Sequence, residues 1–146
     1  MSLLSSLATS ASALAAERLR MDVTAENLAN AQTTRGADGG PYRRKSVVLQ
    51  ESGGGFGQAL AGAMGRPSGR AAGVEVAAIV EDASPPRMAY DPGHPDADER
   101  GYVQMPNVEP VGEMVDLITQ QRAYEANVTA MQTAKQMFSK TLELIR

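Results

Sequence analysis

Cysteine is absent from the 146 residues, which excludes a disulfide framework, a zinc ribbon and thiol catalysis. Tryptophan is absent too, and aromatic residues make up only 4% of the chain. Charge of one sign is not concentrated anywhere. Fourteen basic and seventeen acidic residues give a net charge of −3, spread so that neither end is a charged tail. A general nucleic-acid binder would show a basic face, so none is expected. No apolar run approaches the roughly 18 residues of a spanning helix, and direct membrane insertion is not expected. Met1–Leu19 has no charged start and its first arginine is Arg18, so no cleavable secretory signal is expected either. With 42% hydrophobic residues the chain is long enough for one domain but poorly equipped to build a large core.

Helix breakers are missing from both ends. Glycine and proline do not occur in residues 1–35 or after Gly112, whereas all eight prolines lie between Pro41 and Pro110. Two helical arms therefore flank a breaker-rich middle. In the first arm Leu7, Leu14, Met21 and Leu28 fall seven apart, with Leu4, Ala11, Arg18 and Ala25 as a companion register, which is coiled-coil patterning. Asn30 is the expected stop, because asparagine tolerates the left-handed conformation that ends helices. In the second arm Leu117, Tyr124, Met131 and Phe138 repeat the spacing, with Met114, Gln121, Val128, Lys135 and Leu142 beside them. Pro110 suits a first helical turn, Glu109 and Glu113 suit its positive dipole end, and Asn107 is a candidate cap. An isolated helix of this kind is marginal in water, so each arm needs the other, further subunits, or both.

The middle reads as four short strands, at Tyr42–Gln50, Val74–Asp82, Arg87–Asp91 and Gly101–Met105, with a Gly-rich flexible loop over 51–73. The expected fold is mainly α with a small β domain. The N- and C-terminal helices pair as a coiled coil, residues 1–31 and 107–146, and a β-rich middle segment, 32–106, is inserted between them.

Chemistry is hard to find in these residues. His94, the only histidine, sits in Asp91-Pro92-Gly93-His94-Pro95-Asp96-Ala97-Asp98, whose oxygens and imidazole are potential metal donors. The spacing fits neither a calcium loop nor a paired-histidine zinc helix, and the two prolines argue for a structural turn. Arg43-Arg44-Lys45 after Gly39-Gly40 lacks the Lys-Ser/Thr of a nucleotide loop and is expected to be solvated or paired with carboxylates. No catalytic residue, metal site or cofactor is expected, and the chain reads as a non-enzyme.

Several runs resemble one family. Glu26-Asn27-Leu28-Ala29-Asn30-Ala31-Gln32-Thr33-Thr34-Arg35-Gly36 is similar to the N-terminal signature of bacterial flagellar axial proteins, the rod, hook and hook-associated components. Gly39–Lys45, Asp91–Asp98 and Gly101–Val108, with Arg122–Asn127 and Ala134–Met137, resemble the proximal-rod members of that family. The resemblance implies a structural subunit whose terminal helices form the inner layer of a helical tube, with the β-rich middle outside. Such a tube carries torque from the motor toward the hook and filament. Its implied partners are further copies of itself, other rod proteins, an adaptor at the rod base and the flagellar type III export apparatus. The implied location is the periplasmic rod of the basal body. On this reading Leu7, Leu14, Met21, Leu28, Leu117, Tyr124, Met131 and Phe138 form the seam within one subunit. Asn27, Asn30, Gln121, Arg122 and Asn127 are candidates for contacts between subunits. The residues alone leave open a soluble coiled-coil adaptor that binds a partner helix.

Overall fold

The computed structural model describes residues 3–36, 39–52, 64 and 73–144, the side chains of 3, 4 and 144 excepted. Helix α1 spans Leu3–Ala29, strands β1 to β4 span Lys45–Ser52, Gly73–Glu81, Arg87–Tyr90 and Tyr102–Met105, and helix α2 spans Pro110–Leu144. The breaker-free ends are thus the two long helices, and the fold is mainly α with a small two-sheet β middle. Strands β1 and β2 form one two-stranded sheet, β3 and β4 another. The Gly-rich stretch is shorter than 51–73, because Glu51, Ser52 and Gly73 are strand residues; 53–63 and 65–72 lie outside the described residues. Among the described residues, no helix is long and apolar enough to cross a membrane.

The chain divides into two compact units. The first takes residues 1–19, 48–78 and 120–146; the second takes 20–47 and 79–119. In the first, the Ser12 hydroxyl donates to the Thr9 carbonyl and accepts the backbone N–H of Val74 at 3.1 Å, fastening α1 to the start of β2. The approach is close enough that a Cβ on Gly73 would stand 2.6 Å from the Ser12 oxygen, which is why glycine opens that strand. Among the described residues, Ala16 and Ala134 are its buried apolar ones.

In the second unit, β3 and β4 pair antiparallel, with Arg87 opposite Met105, Met88 opposite Gln104, Ala89 opposite Val103 and Tyr90 opposite Tyr102. Alternation turns Val103 inward, where it is almost wholly buried beside Pro106 and Val108 in sequence, and leaves Tyr90 and Tyr102 outside in an edge-to-face pair. Gly101 closes the connecting loop at φ +79°, a conformation that side chains rarely adopt, and its N–H reaches the Asp98 carbonyl.

Helix α1 stops at Ala29, beside the expected Asn30, but neither that end nor the start of α2 is made in the expected way. Asn30 is not left-handed, since no non-glycine residue among those described has a positive φ. Its side-chain amide instead donates to the Glu26 carbonyl, and its oxygen accepts the Thr33 hydroxyl, so the last turn is closed by side-chain bonds. Asn107 does not cap α2. The first helical bond runs from the Glu113 N–H to the Glu109 carbonyl, with Pro110 at the first helical position, and Asn107 is occupied elsewhere.

The companion registers also differ. On α1 the exposed residues include Ala11, Arg18 and Ala25, while Ala16, Val23 and Asn27 are buried. On α2 Met114, Gln121, Lys135 and Leu142 are exposed, and the buried positions are Glu113, Gln120 and Ala134. The inward stripe beside Leu117, Tyr124 and Met131 is thus small or polar. Hydropathy favours Met114 over Glu113, but hydrogen bonding decides which is buried.

Candidate functional site, a polar junction at the helix ends

The second unit is organised around Asn27, in the last turns of α1 and 1% exposed. A side-chain amide has two N–H donors and one oxygen with two lone pairs, and all four are used here. The amide nitrogen donates to the Lys45 carbonyl at 2.8 Å and to Glu113 Oε2 at 3.1 Å. The amide oxygen accepts the Lys45 N–H and the Tyr42 hydroxyl, each at 2.9 Å. Asn27 therefore pairs with the Lys45 backbone as a neighbouring strand would, and starts β1 from a helix side chain.

Glu113, in the first turn of α2, is the second centre and is 2% exposed. Its other oxygen accepts Arg44 Nε at 2.5 Å, and the same guanidinium reaches Asp116 at 3.5 Å. A buried carboxylate is tolerated only when it is paired and hydrogen-bonded, and Glu113 has one charged and one neutral donor. The hydrogen bond to Glu113, with the Asp116 charge added, raises the Arg44 pKa further above its ordinary value. The Arg44 backbone is held as well: its N–H donates to Asn107 Oδ1 at 2.9 Å and its carbonyl accepts the Asp82 N–H at 2.7 Å. Asn107 thus tethers the segment before β1 to the approach of α2. Lys45 completes the junction with a 2.7 Å ion pair to Glu26 and a position 5.6 Å from the centre of the Tyr42 ring. Two cations of the basic trio are paired, and Arg43 is exposed.

Burial, reinforced by the Glu26 carboxylate, pushes the Tyr42 phenol above its ordinary value near 10. A raised folded-state pKa means that the neutral phenol stabilises fully below pH about 10, and that this contribution fades as pH rises through the folded value. Tyr42→Phe is expected to lower unfolding stability by about 1 kcal/mol at pH 8, the worth of one hydrogen bond. The lead of the natural protein should then shrink above pH 10 in urea denaturation. A lead that is unchanged at pH 11 would contradict this reading.

The Asp91–Asp98 loop is held by its own backbone. Asp91 accepts the Gly93 N–H, Asp98 accepts those of Arg100 and Tyr102, and the His94 ring accepts that of Asp96. Asp96 bonds the Thr34 hydroxyl at 2.8 Å and the Arg35 guanidinium, which together hold its carboxyl below the ordinary range. Among the described residues no three His, Asp or Glu side chains gather to hold a metal ion. The loop is a brace tying 34–35 to 91–98.

The other residues singled out from sequence lie along the helices. Leu7, Leu14, Met21, Leu28, Leu117, Tyr124 and Met131 are half-buried, and Phe138 is exposed. Asn30 and Asn127 are half-buried, with their amides on the Glu26 and Ala123 carbonyls; Gln121 and Arg122 are exposed. Asn27 has its whole amide engaged inside the chain. Arg44 and Glu113 acquire their roles only in three dimensions, since the sequence signals were only an acid in a first turn and a cation beside a strand.

Two long helices frame the chain, and a buried polar junction joins the end of α1, the start of β1 and the start of α2. Residues 7–37 match the model of the flagella basal body rod protein family, and 99–144 match that of the flagellar basal body rod FlgEFG protein C-terminal region. The chain is 50% identical over 143 residues to the flagellar basal-body rod protein FlgC of Bacillus subtilis, covering 95% of each. It is 44% identical to FlgC of Salmonella typhimurium, covering 99% of this chain and 98% of that one. Against FlgC of Borreliella burgdorferi the identity is 41%, over 100% and 99%. The chain belongs to the FlgC family of flagellar basal-body rod proteins. It is therefore a non-enzymatic structural subunit of the basal-body rod, made to assemble with other rod components.

Proposed function

We propose that this chain builds the proximal rod, polymerising through α1 and α2 into a helical tube that transmits motor torque toward the hook and filament. The observation that carries this reading is similarity over almost the full length to relatives named as basal-body rod proteins, with α2 and all but the first four residues of α1 inside the matched family regions. Residues 1–31 and 107–146 form the inner coiled-coil layer. Their seam within a subunit runs through Leu7, Leu14, Met21 and Leu28 of α1 and Leu117, Tyr124, Met131 and Phe138 of α2. Residues 32–106 lie outside it. Asn30, Gln121, Arg122 and Asn127 contribute contacts between subunits, while Asn27 acts from within. The subunit leaves the cytoplasm through the flagellar type III apparatus and assembles in the periplasm against other rod proteins and the adaptor at the rod base.

Removing residues 1–30 from the chromosomal copy is the decisive experiment. Swimming should be lost and isolated basal bodies should lack a complete rod, with both restored by the full chain in trans. Intact basal bodies in that strain would favour the adaptor reading instead.

A further inference from the structure

The junction fixes which side of α2 is turned inward, and the opposite side is apolar and bare. Val111, Met114, Val115 and Ile118 recur at i, i+3, i+4 and i+7, the spacing of one helical face, and are 48–67% exposed. Four bulky side chains in one stripe are more than scattered surface exposure and mark an interaction face. The exposed side of α1 has the opposite relief. Ala25 and Ala29 stand there one turn apart, where small side chains let a neighbouring helix approach closely.

Charge sets the register between these faces. On α2, Arg122 and Glu125 continue the exposed face beyond Ile118; on α1, Asp22 and Arg18 precede Ala25. Laid antiparallel with Ile118 over Ala25, the helices bring Arg122 opposite Asp22 and Glu125 opposite Arg18. The same register sets Met114 and Val115 over Ala29. A parallel alignment with the same centre places Arg122 over Ala29 and leaves Asp22 against the apolar stripe. Pairing α2 with itself sets bulky residues on bulky ones and Arg122 over Met114. Neither Arg18, Asp22 nor Arg122 has an ion-pair or hydrogen-bonding side-chain partner among the described residues, so each is available; Glu125 accepts the Gln121 amide at 3.1 Å on one oxygen and has its second for Arg18.

We infer that the Val111–Ile118 face of α2 docks on the Ala25–Ala29 face of α1 in a second copy of this chain, antiparallel, with Arg122 against Asp22 and Glu125 against Arg18. The inference rests on the rod reading. Its contact joins two different surfaces, so repetition adds subunits without closing a dimer, as an extending rod requires.

Charge exchange in the full-length protein tests it, because all four charged residues are exposed and none belongs to the junction. Asp22→Arg alone and Arg122→Asp alone should each cut swimming rate at least tenfold, and the two together should restore at least half of it. A double variant no better than either single one overturns the docking. Since the chain has no cysteine, Ala25→Cys with Ile118→Cys in one chain gives a second readout. Isolated basal bodies treated with a short bis-maleimide should yield a covalent ladder, and Ile118→Cys alone should yield monomer. A dimer from Ile118→Cys alone, or no ladder from rods that still drive swimming, overturns the docking as well. If a strain lacking the chain altogether still swims, the rod reading itself fails. If that strain is immotile but the double exchange does not rescue, only the docking fails.

Discussion

Asn27→Asp, which keeps size and shape and exchanges the amide nitrogen for an oxygen, is expected to cost about 3–5 kcal/mol at pH 8, the range for leaving a buried charge uncompensated. The new carboxylate would stand where the amide nitrogen now donates to Glu113 at 3.1 Å, and would also face the Lys45 carbonyl with no hydrogen to give. Two carboxylates at that distance cannot both ionise cheaply, so the pair takes up a proton that the natural protein does not need. The damage should therefore be pH-dependent. As pH falls toward 5, the shared proton replaces one missing hydrogen bond and part of the stability returns. Asn27→Ala gives the contrast: it strands the Lys45 N–H and carbonyl and the Tyr42 hydroxyl, costs about 2–4 kcal/mol, and shows no such recovery. Urea denaturation of the full chain, followed by circular dichroism at pH 8 and pH 5, reads both. Asn27→Asp lying within 1 kcal/mol of the natural protein at pH 8 would refute the four-bond account. Domains are stable by only about 5–15 kcal/mol, so the same substitution should also abolish complementation of swimming.

The contrast between Asn27 and its surroundings explains which parts of the molecule are legible in the sequence. The two helices are visible because glycine and proline vanish at both ends, a signal that needs no tertiary information. The four strands appear within a few residues of their places because Val-rich alternation between turn residues is equally local. Pro110 sits where its chemistry says it should. What periodicity misses is which polar residues are buried. Glu113 and Gln120 occupy inward positions that a hydropathy stripe assigns to Met114 and Gln121. The deciding partners lie far along the chain: Asn27 meets Glu113 across 86 positions and Arg44 meets Glu113 across 69. No window of a helix or strand contains such a pair. Asn107 fails as the cap of α2 for the same reason, since its amide serves Arg44 and Asp82, 63 and 25 positions away.

The junction also has consequences for assembly. Residues 113 and 115 lie about 200° apart around a helix of 3.6 residues per turn, so anchoring Glu113 inward turns Val115 outward with Val111 and Ile118. Hydrophobicity alone would do the reverse, burying the valines and exposing the glutamate. The polar cluster therefore acts as a specificity device, holding α2 in a rotation that its apolar residues disfavour in the isolated subunit and that an adjoining helix can satisfy.

That balance makes Arg44 the most informative partner to remove. Arg44→Ala leaves the Glu113 carboxyl group almost fully buried without its cation, with the Asn27 amide as its remaining donor. The expected loss is about 3 kcal/mol, at the lower end for a broken buried pair because the Arg44 side chain is 34% exposed and water reaches it. Glu113→Gln keeps the shape and an acceptor for Arg44, and should cost about 1–2 kcal/mol. The informative quantity is the double variant. With the arginine gone, exchanging the stranded carboxylate for a neutral amide relieves the penalty, so Arg44→Ala with Glu113→Gln should be more stable than Arg44→Ala alone by about 1 kcal/mol or more. Simple addition of the two losses would mean that Arg44 and Glu113 do not act as a pair, against their 2.5 Å bond. The swimming phenotype should follow the same order, the double variant above Arg44→Ala, because once the buried charge is gone α2 no longer gains by rotating Glu113 toward water and withdrawing Val111, Val115 and Ile118 from the face they present.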